Sequence, residues 1–173
     1  MNIASMKTRA IISLLAVWML ASCTGGYSFT GASIPPEAKT ISVATFPNFA
    51  PTVNPQLSKM LTEELTMMFS SQTSLDVMST EGGDLHVEGE IVGYDTRAAA
   101  LSSNDEVSMN RLTVTIKVRF TNNIDPEANF EQQFSRYRDY AASLDFSAVE
   151  NSLLDEIVTE LCEDIFNKAV VNW

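Results

Sequence analysis

Histidine and cysteine are almost missing from this chain of 173 residues: it has one of the first and two of the second. A structural zinc site needs about four such ligands, and a disulfide framework needs paired cysteines, so neither is expected. Bases are scarce too, 11 Lys and Arg against 22 Asp and Glu, for a net charge of −11. A surface of that sign repels a polyanion, which excludes non-specific nucleic-acid binding. No apolar run approaches the roughly 20 residues that a membrane-crossing helix requires. Catalytic signatures are equally thin. There is no Gly-x-Ser-x-Gly elbow, and Gly82-Gly83 lacks the lysine and serine of a phosphate loop, so no catalytic residue, metal or cofactor is assigned. What is present is 45% hydrophobic residues, enough for a core.

The first segment reads as an address. Lys7 and Arg9 form a basic n-region, and Ala10 to Leu20 is nearly all apolar, the proportions of a signal peptide. It ends Leu20-Ala21-Ser22-Cys23, which resembles the bacterial lipobox, where the cysteine thiol takes a diacylglycerol. Residues 1–22 are therefore expected to be removed, with Cys23 the lipidation site. Met6-Lys7 looks like an ordinary start, which would set Met1–Ser5 upstream of it. Removal takes two bases and no acids, leaving 151 residues at −13. Two or three acyl chains anchor firmly, because each buried CH₂ adds about 0.8 kcal/mol. Thr24 is not the aspartate that holds many lipoproteins in the inner membrane, so the outer membrane, facing the periplasm, is expected. Cys162 is then a lone thiol, expected to be buried.

Residues 23–39 read as the lipidated N-terminus and a tether rich in Gly, Ser and Pro, and residues 40–173 as a single domain. Strands are predicted at Thr40–Phe46, Leu75–Ser79, Leu85–Arg97, Ser108–Asn122 and Phe130–Tyr140. Asn54-Pro55 reads as an N-cap and first helical position, opening a helix whose apolar stripe is Leu57, Leu61, Leu65 and Met68. Ser147-Ala148-Val149-Glu150 fits a capping box for a second helix that runs toward the C-terminus. The order β-α-β-β-β-β-α predicts a two-layer α+β fold, with two amphipathic helices on one face of a mostly antiparallel sheet. The β-α-β unit should be a right-handed crossover. In the third strand Leu85, Val87, Gly89, Ile91 and Gly93 are placed on the buried face. His86, Glu88, Glu90 and Tyr94 are placed on the other.

His86 reads as a surface histidine. Glu88 and Glu90 read as cross-strand partners of Lys117 and Arg119 rather than an acid–base pair. Six bases gather in the sheet: Arg97, Arg111, Lys117, Arg119, Arg136 and Arg138. Arg111, Lys117 and Arg119 share one strand face and are candidate contacts for a phosphorylated glycolipid. The competing reading is a face neutralised by Glu88, Glu90, Glu131 and Asp139. On the second helix Asp155, Glu156, Glu160, Glu163 and Asp164 read as a solvated face. Trp173 is either a lid on the core or an anchor in a partner.

The lipobox, the glycine-bearing tether and the element order resemble the LPS-assembly lipoprotein family, LptE. The resemblance sharpens at Tyr27-Ser28-Phe29-Thr30-Gly31, Arg111–Phe120, Phe134–Tyr140 and Asp164–Trp173. It implies a non-enzymatic outer-membrane lipoprotein that assists a large β-barrel translocon subunit and contacts lipopolysaccharide. The family's own contact residues match no motif here and are not transferred. The rival function is a periplasmic glycan- or lipid-binding lipoprotein with no barrel partner.

Overall fold

Five strands and two long helices account for most of the residues from Thr40 to Val170. A computed structural model describes residues 34–80, 82–101 and 107–170. Cys23, the segment before it and Trp173 lie outside the described residues. The elements are β1 (Thr40–Val43), α1 (Leu57–Gln72), β2 (Asp76–Met78), β3 (Leu85–Leu101), β4 (Val107–Asn122), β5 (Phe130–Ala141) and α2 (Phe146–Val170). A single 3-10 turn, Pro126–Ala128, sits between β4 and β5. The strands form one sheet in the order β2-β1-β3-β4-β5. β1 is parallel to both β2 and β3, whereas β3-β4-β5 is a long antiparallel meander. The α+β architecture and the mostly antiparallel sheet are as expected.

Alternation in β4 makes the two faces. Leu112, Val114, Ile116, Val118 and Phe120 are buried on one side, while Arg111, Thr113, Thr115, Lys117 and Arg119 alternate with them on the other. Both helices join the core. Leu57, Leu61, Leu65, Met68 and Phe69 are buried from α1, and Leu154, Ile157, Leu161, Ile165 and Phe166 among others from α2. Phe69 meets Phe166 between the helices, with ring centroids 5.2 Å apart. Cys162 is buried as expected; its Sγ lies 3.8 Å from the Leu61 carbonyl oxygen, and burial pushes its thiol pKa up to about 12.

Four local expectations change. β1 stops at Val43, and the chain departs from the ladder after Ala44 and bonds β3 again at Pro47 and Phe49, with Phe46 fully buried between. Its ring packs over Gly89: a Cβ there would stand 2.5 Å from Phe46 Cε1. β3 runs past Arg97 to Leu101 and carries a bulge between Ile91 and Gly93. One extra residue there reverses the alternation. Tyr94 is therefore buried, opposite Val114, and Gly93 faces Thr115 rather than the core. The start of α1 agrees with expectation in substance, since Asn54 Oδ1 accepts from the backbone N–H of Gln56 (2.8 Å) and Leu57 (3.2 Å). The start of α2 does not. Asp145 Oδ1 accepts from Ser147 N at 3.0 Å and from its hydroxyl at 2.9 Å, so Asp145 is the cap and Ser147 lies inside the helix. Glu150 is left for another use. Its Oε1 accepts hydrogen bonds from the Tyr94 hydroxyl and from Asn54 Nδ2 (2.7 Å), tying the β1–α1 loop and β3 to α2. Burial, followed by the Glu150 carboxylate, raises the Tyr94 pKa above its ordinary value.

Candidate functional site

The solvent face of the meander is a ladder of opposite charges. Register places Glu88 opposite Arg119 and Glu90 opposite Lys117 on β3 and β4, and Arg119 opposite Glu131 and Arg111 opposite Asp139 on β4 and β5. Arg119 reaches Glu88 at 2.9 Å and Glu131 at 3.1 Å; Lys117 Nζ reaches the other oxygen of Glu131 at 2.5 Å. Arg111 grips Asp139 with two bonds, Nε at 2.7 Å and Nη2 at 2.9 Å, and its guanidinium lies 3.7 Å over the Tyr137 ring. Bonds from Lys117 and then Arg119 hold the Glu131 carboxyl below its usual range, and Arg111 does the same for Asp139. Glu131 and Glu88 in turn raise Arg119, and Glu131 raises Lys117.

Arg111, Lys117 and Arg119 thus share a face, as their spacing predicts, but each carries a carboxylate partner. Lys117 and Arg119 also line a recess of about 390 Å³ with Thr45, Pro47, Glu88 and Glu90. Arg97 pairs with Asp95 beside it on β3. The other two sheet bases belong elsewhere. Arg136 and Arg138 lie on the helix side of β5, opposite Val114 and Leu112. Arg136 makes two bonds to Asp164 (2.7 and 2.5 Å), and Arg138 binds Glu156 at 2.6 Å and Glu160 at 2.5 Å. The helix acids expected to be merely solvated are therefore partly committed to β5. The exception is a pair, Asp155 and Glu163, which stay exposed.

His86 is half-buried rather than on the open surface. Its Nδ1 is 2.7 Å from Ser42 Oγ and its Nε2 is 3.8 Å from Glu88. Serine, histidine and a carboxylate in series have the composition of a nucleophilic relay, but the geometry gives a strut. Ser42 is buried, at 2% exposure, and its hydroxyl also lies 2.5 Å from the Gly82 carbonyl oxygen. A hydroxyl so enclosed is out of reach of a substrate, whereas a relay needs an exposed Oγ. The contacts tie β1 to β3 and to the Gly82-Gly83 turn, whose φ angles of 114° and 100° suit glycine. Among the described residues, no three His, Cys, Asp or Glu side chains are placed to hold a metal ion. No described helix is long and apolar enough to cross a membrane.

Fold and site together define a two-layer α+β domain with a helix-covered apolar sheet face and an ion-paired polar one. Solved structures share that scaffold. An uncharacterized lipoprotein B from Nitrosomonas europaea matches at 17% identity and a TM-score of 0.51, over 82% of this chain and 88% of that one. The rare lipoprotein B from Shewanella oneidensis matches at 11% and 0.51, over 75% and 92%. A minor lipoprotein from Acinetobacter baumannii matches at 12% and 0.50, over 76% and 91%. At such identities the likeness is one of fold. No curated protein matches the sequence. The family model for lipopolysaccharide assembly, LptE, matches residues 38–169, and the chain belongs to that family.

Proposed function

We propose that this protein is a non-enzymatic outer-membrane lipoprotein that assists a large β-barrel translocon subunit in delivering lipopolysaccharide to the cell surface. The observation that carries the reading is the family match across residues 38–169, nearly the whole domain. In this reading residues 1–22 are cleaved, Cys23 is acylated, residues 23–39 are the tether and residues 40–173 face the periplasm. The barrel holds the domain, and Arg111, Lys117 and Arg119 meet the phosphates of the glycolipid. Guanidinium suits that role because its fork binds phosphate with two parallel bonds.

The test is purification of the tagged, full-length chain from membranes in mild detergent. A large barrel should accompany it in stoichiometric amount, and lipopolysaccharide should come with the pair. Recovery of the chain only as a monomer refutes the barrel reading and favours a free lipid- or glycan-binding lipoprotein. Cys23→Ala tests the anchor separately: the variant should lose its acyl chains, and retention of a covalent lipid overturns that assignment.

A further inference from the structure

β5 is an outer strand of the sheet, and part of its backbone has no partner among the described residues. The N–H of Ala142 donates to the Ser108 carbonyl at 3.1 Å, and this bond sets the alternation. Even-numbered residues of β5 turn N–H and C=O toward β4, and odd-numbered ones turn them outward. The outward set is Glu131, Gln133, Ser135, Tyr137 and Asp139. The Tyr137 carbonyl is occupied, because Arg138 Nη1 donates to it at 2.9 Å. Among the described residues, no backbone group pairs with the outward N–H and C=O of Glu131, Gln133 and Ser135. That open stretch borders a groove of about 460 Å³ between β5 and α2, lined by Gln132, Phe134, Arg136, Asp164, Asn167 and Lys168.

An open edge beside a helix-walled groove is the geometry for strand addition, in which backbone bonds supply affinity and alternate side chains enter the groove. We infer that Glu131–Ser135 accepts an extended, acid-poor segment of the barrel subunit as a sixth strand, an inference that rests on the function proposed above. Length and charge choose this occupant. Five residues of strand span about 17 Å, which fits a short segment and not a long continuous sheet. A second copy of the chain would bring its own acidic α2, with Asp155 and Glu163 exposed, beside the same helix here. Like charges brought together in that way oppose pairing. A segment with few acids meets no such repulsion.

The experiment uses the full-length lipidated chain and the barrel that co-purifies with it. Gln133→Pro removes the central outward N–H and no bond to β4, as proline at an edge allows. Gln133→Ala removes the side chain and keeps the backbone. The expected result is about tenfold lower barrel recovery by Gln133→Pro than by Gln133→Ala, from the missing bond and the ring's bulk. Undiminished recovery by Gln133→Pro overturns the inference. Wild type recovering no barrel refutes the proposed function itself, so the two failures are distinct. A photo-crosslinking residue at position 133 gives a readout that needs no proline. An adduct with the barrel supports strand addition; an adduct between two copies of this chain, or none with the barrel, overturns it.

Discussion

Gly89 is the position where packing and intrinsic preference disagree most sharply. Alanine is favoured over glycine inside a strand by roughly 0.5–1 kcal/mol, so propensity alone predicts that Gly89→Ala stabilises the domain. The surroundings say otherwise. The new Cβ would lie 2.5 Å from Phe46 Cε1 and 2.7 Å from the Lys117 carbonyl oxygen. Carbon atoms at rest stand about 3.5–4.0 Å apart, so the ring would have to move by about 1 Å. Phe46 is fully buried, and Lys117 belongs to β4, an inner strand paired on both sides. Overpacking of this kind costs about 1–3 kcal/mol, and a backbone neighbour puts the cost near the top of that range. After the propensity gain, the net loss is about 2 kcal/mol. For a domain of this size that lowers Tm by about 6 °C. Urea unfolding followed by circular dichroism measures it. A second arm isolates the ring: in a Phe46→Leu background, Gly89→Ala should cost about 1 kcal/mol less, a coupling that adjacent side chains show and independent ones do not. A neutral or stabilising Gly89→Ala, or strict additivity with Phe46→Leu, refutes the argument.

Glu150→Ala should cost about 2–3 kcal/mol in urea unfolding, because it strands the buried Tyr94 hydroxyl and the Asn54 amide; Glu150→Gln keeps an acceptor and should cost less. A loss below about 0.5 kcal/mol for Glu150→Ala counts against the knot. Asp84, Glu131, Asp139 and Glu160 all have folded pKa values held below their ordinary ones: Asp84 by the backbone N–H of Lys39 and the others by basic side chains. Their contribution is thus present above the ordinary carboxylate range and is lost as pH falls through the lower folded values. The urea midpoint should therefore drop between about pH 5 and pH 2, less steeply in Asp84→Asn, and a flat midpoint is the refuting result. Lys117→Gln with Arg119→Gln should weaken lipopolysaccharide binding while leaving Tm nearly unchanged, because exposed ion pairs are screened by solvent and add little stability; Glu131→Gln should strengthen binding, and the reverse order sinks the assignment of this face. The Cys162 thiol should resist alkylation at pH 8 in a folded Cys23→Ala chain and react once urea unfolds it; rapid labelling of the native chain contradicts its burial.

Much of the fold was legible because period-two alternation carries physical information over a long strand. The alternation from Leu112 to Phe120 decides which face is buried and so puts Lys117 and Arg119 on the polar face with Glu88 and Glu90; the structure then pairs Glu88 with Arg119 and Glu90 with Lys117. The bulge at Val92 left no such mark. Valine suits either face of a strand, so nothing in the composition shows that the count shifts there and carries Tyr94 inward. The capping box failed for a different reason. Ser147 and Glu150 have the right spacing, but Asp145 stands two residues earlier with a carboxylate free to cap, and the distant Tyr94 and Asn54 claim Glu150. Strand five does carry Arg136 and Arg138, but its spacing assigns them no face, and a base on the covered face of a strand is normally too costly. Here β5 is the edge, and α2 presents Glu156, Glu160 and Asp164 within reach. Sequence spacing cannot show acids that arrive from another element.

The charge ladder also constrains how a phosphorylated ligand would be held. The solvent face sets Arg97, Arg111, Lys117 and Arg119 against Glu88, Glu90, Asp95, Glu131 and Asp139, so it has no positive excess to draw an anion from afar. Screening within about 8 Å at physiological salt removes what long-range attraction individual bases retain. Binding on this face must then be an exchange at contact, with a phosphate replacing a carboxylate on the same guanidinium. The bonds to be exchanged differ in number. Arg111 is held by Asp139 with two bonds and stacks on Tyr137, whereas Lys117 and Arg119 share the single carboxyl of Glu131. Rotation of that one side chain frees Lys117 and leaves Arg119 held by Glu88 alone, next to the recess they line. Exposed ion pairs are weak enough for the exchange to cost little, and a phosphate offers more acceptor oxygens than the carboxylate it displaces. Lys117, held by Glu131 alone, and not the more tightly gripped Arg111, is accordingly where the anion should enter.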